Sequence, residues 1–275
     1  MSAINKLMTK SFLERTVSGV ILVIIALVTV IMGNDVLLGT IGIISLIGFF
    51  ELARVFHMQW KIPGFIGYIA TIGYYVLIRL EYQEYLIPLF IAYLILLLAA
   101  YVFTFPKIKA VDIMAVYFGM FYVVLMLSYV YQVRQMEDGV YLVWLIFLCS
   151  WGCDTCAYLV GVMFGKHKLA PVLSPKKSIE GSIGGIVGSA LLGLLYAYIF
   201  KEHIAMSNDM VLIPVICAIG AIISQIGDLA ASGIKRDHEI KDYSHLIPGH
   251  GGILDRFDSV IITAPIIFYL ATYLG

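Results

Sequence analysis

Between Gly227 and Asp258 the chain carries an unusual density of residues suited to phosphate chemistry. The stretch reads Gly227-Asp228, Ser232-Gly233-Ile234-Lys235-Arg236, Lys241-Asp242, and Pro248-Gly249-His250-Gly251-Gly252-Ile253-Leu254-Asp255-Arg256-Phe257-Asp258. Carboxylates can hold a hard cation, Lys and Arg can hold phosphate oxygens, and glycines let backbone N–H groups approach an anion. Apolar runs flank both ends. A charge near hydrocarbon costs roughly 2.5–3.5 kcal/mol on insertion scales, so such a block implies a use. A second polar stretch, Ser174-Pro175-Lys176-Lys177-Ser178-Ile179-Glu180-Gly181, lies upstream. Asp154 sits inside an apolar run and shares a helical face with Tyr158, Gly161 and Gly165.

Spacing says what these groups can do together. Asp228 and Ser232 are four apart and share a helix face. Asp255 and Asp258 are three apart at the start of the next apolar run. Two helix ends joined by a compact loop can thus bring carboxylates around one or two divalent ions. Magnesium suits such a site, because it takes few carboxylates and completes its shell with water and substrate phosphate. The competing reading is a structural salt-bridge cluster with Lys235, Arg236 and Arg256. Ser178 is placed to cap the next helix, whose first N–H groups beside Lys176 and Lys177 offer a seat for phosphate. Equally, those lysines could only anchor the span at anionic headgroups. The glycines before Ile253 would turn backbone N–H groups toward an anion, with His250 in contact. His238 and His245 read as solvated loop residues.

The elements that must position these residues are membrane spans. The 275 residues are 61% hydrophobic and 13% charged, with mean hydropathy +0.96. Soluble domains carry about 25% charge. This composition therefore predicts an all-α polytopic membrane protein. Apolar runs place nine spans near 16–33, 36–56, 64–80, 84–105, 110–133, 140–164, 179–200, 211–233 and 253–274. With the N-terminus cytoplasmic and the C-terminus outside, 15 Lys and Arg fall inside and 3 outside, counting Lys6, Lys10 and Arg15 at the polar start. Loops 165–178 and 234–252 then share the cytoplasmic face, where soluble nucleotides are. Residues 1–138, spans one to five, read as scaffold, and 139–275, spans six to nine, as the catalytic region. Glu51 and Arg54 read as a local ion pair three residues apart. Cys153-x-x-Cys156 could suggest zinc or redox chemistry, but Cys149, Cys153 and Cys156 recur at helical spacing, where cysteine serves as a small apolar side chain. Gly161-x-x-x-Gly165 and Gly181-x-x-x-Gly185 suit close helix packing. Net charge is +0, which predicts no nucleic-acid partner.

The C-terminal block resembles the phosphatidate cytidylyltransferase (CDP-diacylglycerol synthase) family. That family's pattern falls on Ser232, Ile234, Lys235, Arg236, Lys241, Asp242, His250, Gly251, Gly252, Ile253, Asp255, Arg256, Phe257 and Asp258, and extends upstream to Ser174–Gly181. The first half of the chain is similar only in hydrophobicity. The resemblance implies reaction of CTP or dCTP with phosphatidate to give the nucleoside-diphosphate diacylglycerol and pyrophosphate. It implies Mg²⁺, with room for a second cation, on Asp228 and Asp255, assisted by Asp154 or Asp258. It further implies that Ser174, Lys176, Lys177, Ser178, Ser232, Lys235, Arg236, Lys241, Asp242, His250, Gly251 and Gly252 bind substrate, and that Lys235 and Arg256 act in catalysis. An integral protein of a bacterial inner membrane is expected, and a homodimer is compatible. Two alternatives stand beside it. One is a CTP-dependent polyprenol or phytol kinase. The other is a solute or ion transporter, against which stands the collection of charge at one face.

Overall fold

The computed structural model describes residues 10–204 and 209–274. Lys6 lies outside the described residues, as do the side chains of Lys10 and Arg15. Among the described residues nine helices follow the apolar runs: α1 (Lys10–Met32), α2 (Asn34–Val55), α3 (Ile62–Arg79), α4 (Leu86–Thr104), α5 (Ala110–Gln135), α6 (Gly139–Phe164), α7 (Ile179–Phe200), α8 (Asp209–Asp237) and α9 (Leu254–Leu274). Eight of them are long and apolar enough to cross a membrane, and Thr16–Met32 of α1 is a shorter apolar helix. The expected all-α polytopic architecture is therefore what the chain forms. Single π turns interrupt α5 at Met120–Leu125 and α6 at Leu148–Gly152. Many large apolar side chains face outward, Ile43, Ile69, Ile87, Phe103, Val162 and Leu191 among them. In water such exposure would be a liability, whereas in lipid it is the favoured arrangement.

The loop expected at 165–178 contains structure of its own. β1 (Lys168–Ala170) and β2 (Ser174–Ser178) form a two-stranded antiparallel hairpin, with Lys168 opposite Ser178 and Ala170 opposite Ser174. It escaped the hydropathy pattern because its strands are short and polar. Ser178 ends the hairpin in extended conformation and caps α7, its Oγ accepting from Gly181 N at 3.1 Å. That is the cap expected from the sequence, and it satisfies one of the four N–H groups a helix start leaves open.

The chain divides into two compact units. One comprises 1–128 and 242–256, the other 129–241 and 257–275. In the first unit Phe49, Leu52, Tyr74, Tyr93, Leu97, Met120 and Val123 are fully buried. Tyrosine hydroxyls there find partners across helices, Tyr74 with Ser128 at 2.8 Å and Tyr75 with Ser45 at 2.6 Å. In the second unit small residues set the helix spacing. A Cβ added to Gly185, Gly188, Gly193 or Gly220 would lie 2.9, 2.6, 2.7 and 2.7 Å from the Sγ of Cys153, Cys156, Cys217 and Cys149 respectively. Each cysteine thus fills the space left by one glycine. Gly181 packs as tightly on α6, its added Cβ meeting Ala157 O at 2.7 Å and Gly161 Cα at 3.2 Å. Close backbone approach through small residues is how helices gain contact where lipid removes the hydrophobic drive between them.

Candidate active site

In the unit of 129–241 and 257–275, the acidic and basic residues collect at the ends of α6, α8 and α9 near the hairpin. Asp228, about one turn before Ser232, accepts an ion pair from Lys177 of β2. Ser232 Oγ donates to Asp228 Oδ1 at 3.4 Å, the i, i+4 contact its spacing predicts. Asp258 is buried, and it lies within electrostatic reach of Asp228, Lys235 and Asp154. Its Oδ1 also accepts from Ser259 N at 2.8 Å. Asp154 follows the π turn of α6, a local widening that is frequent at functional sites. Thus α6, α8, α9 and the hairpin each contribute to one charged cluster.

The remaining positions of this unit line its polar face. Lys176, Arg236 and Lys241 are exposed, and Ser174 and Lys235 are half-buried. Arg236 Nη1 donates to Ile240 O at 3.4 Å, closing the turn after α8. Glu180, in the first turn of α7, accepts from Lys166 N at 3.0 Å and pairs with His167 Nδ1 at 2.6 Å. It therefore holds the hairpin against the helix start. Gln225, not singled out in the sequence, donates to Ser182 O at 3.2 Å and to Cys153 Sγ at 3.6 Å, and its Oε1 accepts from Ser182 Oγ. It ties α8 to α7 and α6 three residues before Asp228.

In the unit of 1–128 and 242–256, the glycine-rich turn is held by two carboxylates. Asp255 Oδ2 accepts from Tyr243 N at 2.8 Å and from Gly252 N at 2.9 Å. Glu51 of α2 is buried and accepts from Ser244 Oγ at 2.5 Å, Ile253 N at 3.0 Å and Leu254 N at 2.8 Å. Arg54 Nη2 donates to Tyr243 O at 2.5 Å. The expected Glu51–Arg54 ion pair does not form, because each side chain turns instead to the 242–256 loop. The anion seat expected at the turn is likewise taken. Gly252, Ile253 and Leu254 N–H groups end on the protein's own carboxylates, and Gly251 N donates to Ile247 O at 3.2 Å. An acidic side chain at a helix start satisfies both its N–H groups and its dipole.

The glycines make this turn possible. Gly249 and Gly251 have φ of 76° and 85°, where other residues are strained. A Cβ on Gly252 would meet Glu51 Oε1 at 2.5 Å. His250 stands at the edge of the turn, its Nδ1 2.8 Å from Ser18 Oγ of α1. Ser18 Oγ also donates to Pro248 O at 2.9 Å. Asp242 is half-buried and Arg256 exposed in this unit.

The donor chemistry bears on a metal. Asp154, Asp228 and Asp258 offer only hard oxygen, and the Lys177 ammonium already sits on Asp228, where a positive charge is accommodated. Among the described residues no three His, Cys, Asp or Glu side chains converge closely enough to hold an ion alone. Hard oxygen donors are the type magnesium takes, with water and phosphate as its other ligands.

The fold and charged clusters define a class, a polytopic helical membrane protein with acidic and basic side chains gathered on a few helices and a polar hairpin. The chain belongs to the cytidylyltransferase family, whose model matches residues 13–274. It is 40% identical to phosphatidate cytidylyltransferase of Staphylococcus saprophyticus over 146 residues, covering 53% of this chain and 54% of that protein. Over 169 residues it is 34% identical to the phosphatidate cytidylyltransferase of Bacillus subtilis, 61% of this chain and 60% of that protein. The Rickettsia prowazekii protein of the same name is 44% identical over 144 residues, 51% of this chain and 63% of that one. Each match spans less than two thirds of the relative's own length.

Proposed function

We propose that the chain transfers the cytidylyl group of CTP or dCTP to phosphatidate, giving CDP-diacylglycerol, or its deoxy form, and pyrophosphate. The observation that carries this reading is the family match together with the Asp228–Lys177 pair and the Asp258, Lys235 and Asp154 charges around it. The lipid phosphate is a monoester with a second pKa of about 6, so at neutral pH it is largely ionised and needs no strong general base. The barrier is the meeting of two anions. Lys176, Lys177, Lys235, Arg236, Lys241 and Arg256 neutralise the triphosphate and the lipid phosphate. Asp228 and Asp258, with Asp154, are the residues that would hold Mg²⁺, while the backbone N–H groups on Asp255 commit it to the turn. When bound, the ion supplies charge neutralisation at the reacting phosphates. His250 and Ser232 contact phosphate oxygens, and Glu51 and Asp255 keep the turn in shape. The α-phosphorus–oxygen bond to the lipid phosphate forms as the bond to pyrophosphate breaks.

The site faces the cytoplasm in this reading, as the distribution of Lys and Arg supports. The decisive assay is purified full-length chain with phosphatidate in mixed micelles and CTP labelled at either the α- or the γ-phosphate. The α label should move to the lipid in the presence of Mg²⁺ and not after chelation. Lipid labelled from the γ position would instead establish a CTP-dependent lipid kinase.

A further inference from the structure

A cavity of about 630 Å³ opens in the unit of 1–128 and 242–256. Leu46, Ile47 and Phe50 of α2, Tyr68 of α3 and Leu246 of the loop form its apolar walls. Arg54, His245 and Ser244 form its polar end, beside the Glu51 carboxylate. Leu46, Ile47, Phe50 and Arg54 lie on one face of α2 at helical spacing. From Ile47 to Arg54 is seven residues, ~10 Å along the axis, the reach of about eight methylenes. The wall is therefore apolar toward the middle of the span and cationic at its end. Phe50 and Tyr68 stack with centroids 6.3 Å apart, and Trp60 and Phe65 buttress them at 5.4 and 5.9 Å from Phe50 and Tyr68. The wall is thus built of braced rings.

The polar end has capacity for an anion. Among the described residues Arg54 makes one hydrogen bond, to Tyr243 O, and no ion pair. Glu51 does not compete for its charge, because both carboxylate oxygens accept from Ser244, Ile253 and Leu254. A charged head at Arg54 and a chain along Leu46–Phe50 match one kind of molecule, an amphiphile standing parallel to α2.

We propose that this cavity binds one acyl chain of a lipid phosphate, with the phosphate on Arg54 and His245. Resting on the cytidylyl-transfer reading, the occupant is the phosphatidate substrate. The Glu51 carboxylate joins Ser244 in the cavity to the start of α9, and so connects the seat to the glycine-rich turn. Lipid then enters sideways from the bilayer, since the walls are apolar and no aqueous route is needed for the chain.

Photocrosslinking tests this without turnover. The full chain in liposomes, with no CTP, is irradiated with phosphatidate carrying a diazirine in one acyl chain, and the adducts are mapped by mass spectrometry. Adducts should fall on peptides containing Leu46–Phe50 and Leu246. Arg54→Gln should lower labelling by on the order of tenfold, the loss of one charge-assisted hydrogen bond. A diacylglycerol probe, without the phosphate, should label weakly and be insensitive to Arg54→Gln. Ile47→Trp, which fills the wall and leaves the head group site intact, should also abolish labelling. Adducts mapping elsewhere in the wild-type chain, or equal labelling by both probes that Arg54→Gln leaves unchanged, would overturn the seat. Correct labelling in a chain that transfers no cytidylyl group would keep the seat and remove the catalytic reading.

Discussion

At the scale of residues, the carboxylates divide into two kinds by what touches them. Asp228 carries an ammonium and a hydroxyl, and Asp258 lies in reach of Asp228, Asp154 and Lys235. Asp255 and Glu51 instead carry backbone N–H groups. Charge held for chemistry and charge held for shape should respond differently to neutral replacement. Asp228→Asn should lower cytidylyl transfer at least about a hundredfold, as loss of one electrostatic contact to a reacting phosphate does, with thermal unfolding unchanged. Asp255→Asn should also lower transfer, but with faster hydrogen exchange across 242–253, because Tyr243 and Gly252 N–H lose a charged acceptor worth roughly 1.5–3 kcal/mol. Near-normal turnover of Asp228→Asn with Mg²⁺ would end the metal assignment, and unchanged exchange in Asp255→Asn would end the structural one. The residue types and spacings here were legible in the sequence. Their partners were not, because Glu51 and Ser244 are separated by 193 positions and only folding joins them.

At the scale of elements, the glycines of α7 set how near α6 can come. Gly185 shows the constraint, since its added Cβ would lie 2.9 Å from Cys153 Sγ and 3.0 Å from Cys153 O. A backbone carbonyl cannot step aside as a side chain can. Gly185→Leu should therefore destabilise by about 1–3 kcal/mol or more, seen as a lower unfolding temperature in detergent. Leu191→Ala on the outward face of the same helix, where Leu191 is exposed, should change it little. Equal effects would mean that α6 and α7 do not pack through this seam. Close packing at Gly181 and Gly185, and an apolar role for Cys149, Cys153 and Cys156, were legible in the sequence, whereas the pairing of each cysteine with a glycine came from the fold. The hairpin of β1 and β2 was not legible, because three- and five-residue polar strands leave no hydrophobic period to read.

At the scale of the whole molecule, the question is which face carries the polar loops. The basic residues favour the cytoplasm for 165–178 and 234–252. Lys176→Cys and His238→Cys, both at exposed positions, should react with a membrane-impermeant thiol reagent from the cytoplasmic side of oriented vesicles. Glu84→Cys and Glu202→Cys, exposed between other spans, should react only from the opposite side. Labelling of all four from one side would overturn the nine-span orientation. The number and placement of helices needed no tertiary information. Each span must bury a run of backbone in lipid, and only an unbroken apolar helix does so without leaving polar groups unpaired. The same constraint fixes the class of architecture and gathers charge at the loops, where residue types at fixed gaps point to the phosphate chemistry proposed above. Tertiary structure alone decided which carboxylates serve the turn and which meet lysine. It also decided that α1 and α2 reach the 242–256 loop through Ser18, Glu51 and Arg54, and that a cavity forms beside Arg54. Hydropathy is a sum along the chain, whereas a hydrogen bond between distant residues depends on where folding places both ends.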